Sequence, residues 1–478
     1  MEHFNDFFGN SDDDNEEYPD FENLYTLVSD NITSNEYKYI EAQELEEAID
    51  YFIIENIDKA LKINDYALQI FPDNVNFLFT KAEILIDLNK NPEARELLDI
   101  IEDKEPYNAD AYLLRVSMHI NEGKIEQAIA ECHRALINDI EDISDIYTEL
   151  GYCYKTLKKY KDALKCYQKS IEIEKSNPDP YYSITDIYIQ TGQISEGLFY
   201  FDKLILEDTH NINALFAMGK LFAKKGIYKR ALQTYNKVLR IDNTHFDALF
   251  EKISIYKKQN NYQKVIELCN IYKDAFFPFF LFELAKTYSE LDYNEEALAI
   301  YKDLYQNDPE DFDKIQIITG ITYCYMQMGM YNKAISFIES GLISFPYSNE
   351  ILIAKAAVLN ACQRSTEAME IITAVIECSR PEIFSEIELS ITEILMEMGA
   401  YKDALNYLEM FSKSDPFNAT MYYLMAAAYY LSFEKNEAYD AFEKALNLSG
   451  NDYGLFFEKC MIAHTDNTIY ELLEKYSL

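Results

Sequence analysis

Residues 141–178 read EDISDIYTELGYCYKTLKKYKDALKCYQKSIEIEKSNP, and residues 213–242 read NALFAMGKLFAKKGIYKRALQTYNKVLRID. In both, a glycine (Gly151, Gly219) is followed three positions on by a large aromatic residue (Tyr154, Phe222). Twelve positions after that glycine stands an alanine (Ala163, Ala231), and four further on a tyrosine (Tyr167, Tyr235). Spacings of three and four put side chains on one face of an α-helix. Each stretch is therefore a pair of helices, with small residues where the axes approach and a large side chain filling the adjacent hole. Gly226 falls between the two helices of the second stretch, where a left-handed turn residue is accommodated without strain.

The pattern extends along the chain. Its alanine marker recurs at Ala60, Ala94, Ala128, Ala163, Gly197, Ala231, Val265, Ala297, Ala334, Ala368, Ala404 and Ala438, with gaps of 32 to 37 residues and most often 34. Twelve residues before each marker lies a second, mostly small series: Ala48, Ala82, Val116, Gly151, Thr185, Gly219, Ile253, Ala285, Thr322, Ala356, Thr392 and Ala426. Gly123, Gly192, Gly329 and Gly399 repeat the turn between helices, and Pro72, Pro106, Pro309, Pro346 and Pro416 fall between units, where a helix must stop. A fixed period of this length denotes a stacked repeat array.

These residues resemble tetratricopeptide repeats (TPR). Tyr147, Leu150, Gly151, Tyr154, Ala163 and Tyr167 match that pattern, as do Leu215, Gly219, Phe222, Ala231 and Tyr235. The tryptophan frequent near the start of the family's first helix is replaced here by Tyr112, Tyr147, Tyr181 and Tyr422, in a chain with 40 tyrosines and no tryptophan. The resemblance implies an all-α fold: a right-handed α-solenoid superhelix of about twelve helix-turn-helix repeats closed by a C-terminal capping helix. The expected organisation is an acidic, largely disordered leader over residues 1–37 with a short capping helix within it. The N-terminal half of the array follows over 38–277 (about seven repeats), then the C-terminal half over 278–452 (about five) and a helical cap over 453–478. Irregular spacing near Phe276–Phe280 and a two-residue insertion between Cys378 and Glu386 mark local departures.

Composition narrows the function. The chain carries 83 acidic and 43 basic residues, a net charge of −40. Such a surface repels phosphate backbones, so nucleic acid is not the expected partner. No apolar run approaches the roughly 20 residues that span a bilayer, so no membrane insertion is expected. The N-terminus, MEHFNDFFGNSDDDNEEY, lacks the basic start and apolar core of a secretory signal. The eight cysteines are scattered without a CxxC pair and read as reduced core residues. A cytoplasmic location follows as the expectation.

Catalytic and cofactor motifs are lacking: there is no P-loop, GxGxxG, GxSxG or HExxH. Cys132 and His133 are the one His/Cys neighbour pair, and adjacent helical residues point apart. The reading is a non-enzymatic chain without cofactor or metal, acting as an interaction scaffold or adaptor that holds a peptide or partner helix in a concave groove. An alternative is a regulatory sensor whose groove takes a small peptide or ligand and changes the curvature of the array.

In the TPR family the first helix of each unit lines that groove. The stripe beside the tyrosine-bearing face is Leu45, Phe79, Leu113, Thr148, Tyr182, Phe216, Phe250, Phe282, Thr319, Ile353, Leu389 and Tyr423, mostly apolar. These residues either face a ligand or pack laterally between neighbouring first helices. Along the same face lie Lys220 and Lys286, and, one turn on, Lys155 and Lys257, with Lys224 nearby. The lysines either attract an acidic ligand or complement the negative ends of their helices. The candidate groove residues are therefore Lys155, Tyr182, Phe216, Lys220, Lys224, Phe250, Lys257 and Lys286, with a protein or peptide partner, acidic where the lysines meet it. The chain itself is expected as a monomer or weak dimer. The leader alternates aromatic and acidic residues, complementary in kind to such a groove.

Overall fold

The structure is a computed structural model. It describes residues 21–34, 38–138, 140, 143–307, 314–378, 385–412, 415–448 and 453–476. Most of the leader, and residues 379–384 within the insertion after Cys378, lie outside the described residues. Among the described residues every regular element is helical. The chain divides into two compact units, one ending at Ala248 and one beginning at Leu249.

The first unit opens with α1 (Phe21–Ser34) and continues in antiparallel pairs: α2 (Ala42–Glu55) with α3 (Ile57–Ile70), α4 (Val75–Asp87) with α5 (Asn91–Lys104), and α6 (Ala109–Asn121) with α7 (Ile125–Ile137). Then come α8 (Ile143–Thr156) with α9 (Tyr160–Ile173), α10 (Asp179–Gln190) with α11 (Ile194–Glu207), and α12 (Ile212–Lys224) with α13 (Tyr228–Ile241). The boundary falls within α14 (Phe246–Lys258), which α15 (Tyr262–Tyr272) follows. The second unit continues with α16 (Phe279–Glu290) and α17 (Asn294–Gln306), α18 (Lys314–Gln327) and α19 (Tyr331–Ser344), and α20 (Asn349–Ala361) and α21 (Ser365–Cys378). It ends with α22 (Glu386–Glu397) and α23 (Tyr401–Phe411), α24 (Ala419–Leu431) and α25 (Lys435–Leu448), the short α26 (Gly454–Lys459), a 3₁₀ turn (Met461–Thr465) and α27 (Asn467–Tyr476). Helices α2 to α25 are twelve consecutive pairs, the number the alanine markers predict.

Both marker series are buried in all twelve pairs. Where the first-helix marker is glycine, the reason is steric. A Cβ at Gly151 would lie 2.7 Å from the ring of Tyr167. Gly219 faces Tyr235 in the same way. Tyr167 and Tyr235 are fully buried, so the ring of the second helix lies directly on the backbone of the first.

The turn between the helices of a pair is equally uniform. Gly123, Gly192, Gly226, Gly329 and Gly399 hold φ near +70°, and Asn89, Lys158, Asn260, Asp292, Gln363 and Phe433 hold the same left-handed conformation without being glycine. All but Gly192 close the preceding helix with a paired hydrogen bond, as when Gly226 N donates to Ala223 O and Ile227 N to Phe222 O. First helices begin on a side-chain cap: Asn108, Asn211 and Asn418 each accept a backbone N–H three residues on. Asn211 also donates to the hydroxyl of the buried Tyr181, 2.9 Å away, which gives tyrosine a use in a slot the TPR family often fills with tryptophan.

The array ends on a cap. α24 is buried on nearly every side, and α26 covers it with Phe456 and Phe457. Asp466 fastens this cap, accepting from Tyr430 Oη and Tyr439 Oη (both 2.8 Å), Lys435 Nζ (3.0 Å) and the backbone of Thr468 (3.0 Å). Burial alone would raise its pKa, but these donors outweigh burial and hold the carboxyl well below the usual carboxylate range. The cluster at 276–280 divides by depth: Phe280 is fully buried while Phe277 is 46% exposed.

Gly219→Ala should destabilise the chain by about 1–3 kcal/mol through overpacking against Tyr235. Phe433→Gly should stabilise it by about 1 kcal/mol by relieving a left-handed non-glycine residue. Urea unfolding followed by circular dichroism checks both signs. Asp466→Asn should lower the thermal midpoint. Because the folded pKa is depressed, that difference should be full above about pH 4, the ordinary aspartate value, and shrink on further acidification.

Candidate functional site

The site builds from the inner faces of the first helices. Within the first unit α4, α6, α8, α10 and α12 touch one another in sequence, and within the second unit α16, α18, α20, α22 and α24 do the same. Each first helix turns one face to its own second helix and its flanks to neighbouring first helices, which leaves a single face open.

In the first unit, Tyr182 donates its hydroxyl to Asp247 at 2.9 Å and meets Phe216 edge-on at 5.7 Å. Lys220 Nζ lies 5.7 Å from the Tyr182 ring centroid and 5.9 Å from that of Phe216, within cation–π range. Phe216 itself is buried, against Tyr235 and His245. Three predicted residues, Tyr182, Phe216 and Lys220, thus come together. Lys155 is instead committed to Asp186 on the next first helix, at 3.3 Å. Lys224 is exposed at the last turn of α12.

In the second unit Phe250 is 43% exposed and packs on Phe279 at 5.7 Å. Lys257 is bound by Glu283 at 2.6 Å and Glu290 at 3.7 Å. Lys286 is exposed and lines a groove of about 1100 Å³ formed by α16, α18, α20 and α22. Ile315, Ile353, Ala354 and Ala357 supply apolar wall, Tyr323 and Met326 project from α18, and Glu290, Glu350, Glu393 and Glu397 supply carboxylates. Burial raises the pKa of Glu397, with the charge of Glu393 adding to it against the opposing pull of Lys459 and a hydrogen bond from Asn360. Glu393 is held by Lys459 at 2.7 Å.

Of the eight residues named from the sequence, only Lys286 lines this groove. Tyr323, Ala357 and Glu393 were missed, although each stands one helical turn after a member of the apolar stripe (Thr319, Ile353, Leu389), the same step that leads from Phe216 to Lys220. The stripe itself lies deep in several pairs: Leu45, Phe216, Phe282, Ile353 and Tyr423 are buried, which is the lateral-packing alternative.

No group of three or more His, Cys, Asp or Glu residues with metal-holding geometry occurs among the described residues. His133 faces Tyr154 Oη at 3.4 Å, and burial pushes the thiols of Cys153 and Cys166 up to about 12 and about 11. Among the described residues no helix is long and apolar enough to cross a membrane.

Models of the tetratricopeptide repeat match residues 55–106, 144–177, 212–245 and 280–311. The chain is a tetratricopeptide repeat protein. Over 158 residues, 30% of this TPR chain, it is 24% identical to human protein O-mannosyl-transferase TMTC3, and the match spans 17% of that protein's length. Among solved structures, yeast Tom70 is similar over 91% of this chain and 99% of its own, at 14% identity and a TM-score of 0.44. A tetratricopeptide repeat protein from Parabacteroides merdae is similar over 70% of this chain and 98% of its own, at 16% identity and a TM-score of 0.33. YrrB, described as a TPR protein with an unusual peptide-binding site, is similar over 40% and 97%, at 21% identity and a TM-score of 0.27.

The two candidate lysines of the second unit, Lys257 and Lys286, should respond differently to substitution. Lys257→Met leaves Glu283, whose side chain is 14% exposed, without its cation, and should lower stability by about 2 kcal/mol. Lys286→Met should leave the unfolding midpoint unchanged, as judged by thermal melts of both variants beside the parent.

Proposed function

We propose that this TPR chain is a non-enzymatic interaction scaffold, and that the groove of its second unit holds a peptide or helix from a partner protein. The observation that carries the reading is the groove itself: about 1100 Å³, walled by the first helices of four successive pairs. A wall of this kind offers apolar contact from Ile315, Ala354 and Ala357 beside polar groups such as Tyr323, Gln316 and Lys286, which is the mixture that binds and orients a peptide. Each pair contributes a small area, so affinity sums along the groove.

Ala354 and Ala357 are half-buried on the groove wall of α20, so an arginine at each fills the groove without entering the core. The Ala354→Arg/Ala357→Arg variant and the parent, compared as baits in quantitative affinity capture from the native host, test the reading. Proteins enriched by the parent should fall by about tenfold or more on the variant. An unchanged set of captured proteins would show that the groove is not the binding face.

A further inference from the structure

Residues 209–241, the α12–α13 pair with its approaches, contain seven lysines and arginines and not one aspartate or glutamate. In a chain of net charge −40 this stretch is an island of opposite sign. The cations are Lys220, Lys224, Lys225, Lys229, Arg230, Lys237 and Arg240. All but Lys220 are exposed.

Their contacts differ from those of several other lysines of the first unit. Lys59, Lys81, Lys104, Lys155, Lys165 and Lys169 each hold a carboxylate. Among the described residues none of the seven makes an ion pair: Lys220 lies over Tyr182 and Phe216, Lys225 Nζ donates to Ser195 Oγ at 3.2 Å, and the Arg230 guanidinium stacks on Phe222 at 4.4 Å. These contacts hold the side chains without neutralising their charge.

Geometry arranges the cations as a surface. Four follow one another through the turn from Lys224 to Arg230, around Gly226. On α13 the buried residues are Ala231, Thr234, Tyr235 and Val238, while Lys229, Gln233, Lys237 and Arg240 share the opposite, solvent face at steps of four, four and three. That row runs about 16 Å along the helix axis. The macrodipole accounts for Lys224 and Arg240 at helix ends, but it disfavours Lys229 and Arg230 in the first turn of α13, where a negative charge would be stabilised. Their presence there runs against local helix electrostatics.

We propose that the α12–α13 pair is a docking surface for a short acidic segment of a partner protein. This surface comprises the turn and the solvent face of the second helix, so it is a different site from the peptide groove. Charge complementarity selects the sign of the ligand. Size follows from screening: at physiological salt the attraction reaches about 8 Å, so a segment of six to eight residues feels the island. A long polyanion such as a nucleic acid extends beyond it, onto a surface that is acidic on average.

The test uses the full chain and a fluorescein-labelled peptide of eight glutamates, followed by fluorescence anisotropy, with an eight-glutamine peptide as control. The parent should bind the glutamate peptide, with affinity falling by about tenfold between low and physiological salt. The Lys229→Gln/Lys237→Gln/Arg240→Gln variant should weaken binding by about tenfold with an unchanged thermal midpoint. Lys161→Gln/Lys165→Gln/Lys169→Gln, on the solvent face of α9, removes the same net charge and should change affinity by less than about twofold. Equal weakening by the two variants would assign the effect to net charge, and lack of binding by the parent would remove the surface. Tightening on deletion of residues 1–20 would assign it to the chain's own leader. Each of these three results overturns the proposal.

Discussion

The whole array depends on how closely two helices of a pair can approach. That distance is set where a second-helix ring such as Tyr235 rests on the backbone of a first helix at Gly219, with no side chain between them. Alanine markers meet the same requirement in most pairs, and all twenty-four marker positions are out of contact with water. Burying one large side chain of this kind contributes about 1.5–3 kcal/mol, and here the contribution recurs pair after pair. With the second helix so close, a first helix has one open face left. The groove is thus a by-product of close packing, and its floor inherits the spacing of the repeats.

The core was legible in the sequence because it is periodic. Every marker faces the same neighbour at the same depth, so a period near 34 carries the information without knowledge of the coordinates. The site was less legible, for two physical reasons. A stripe residue such as Phe216 or Ile353 stands next to the open face but lies between adjacent first helices, and a rotation of one residue separates contact with a neighbour from contact with a ligand. The lysines also divide by partners that lie far along the chain. Lys155 meets Asp186 and Lys257 meets Glu283, separations of 31 and 26 residues that belong to neighbouring pairs. Reading charge along one helix does not reveal that a carboxylate on the next already neutralises it.

Charge is distributed unevenly in a way the composition conceals. Many basic residues of the first unit outside the α12–α13 pair are held in local ion pairs such as that of Lys104 with Asp73, which leave little field behind. The α12–α13 pair keeps its charges unneutralised and anchors two of them on aromatic rings instead. The second-unit groove has the opposite character, with four glutamates and one lysine on its walls. A repeat scaffold can therefore present surfaces of different sign while every pair keeps the same internal packing, because the markers that fix the fold and the residues that face water occupy different sides of each helix.

Tyrosine in place of tryptophan has an optical consequence. The chain has forty tyrosines and no tryptophan, so its native ultraviolet emission comes from phenol rings spread over ten of the twelve pairs. A single indole would be the sole long-wavelength emitter in the molecule. Tyr147, half-buried at the slot where related repeats carry tryptophan, accepts one in keeping with the pattern of the family. Moved from pair to pair, such a reporter makes each repeat separately visible during unfolding, a resolution that repeat arrays rich in native tryptophan do not offer.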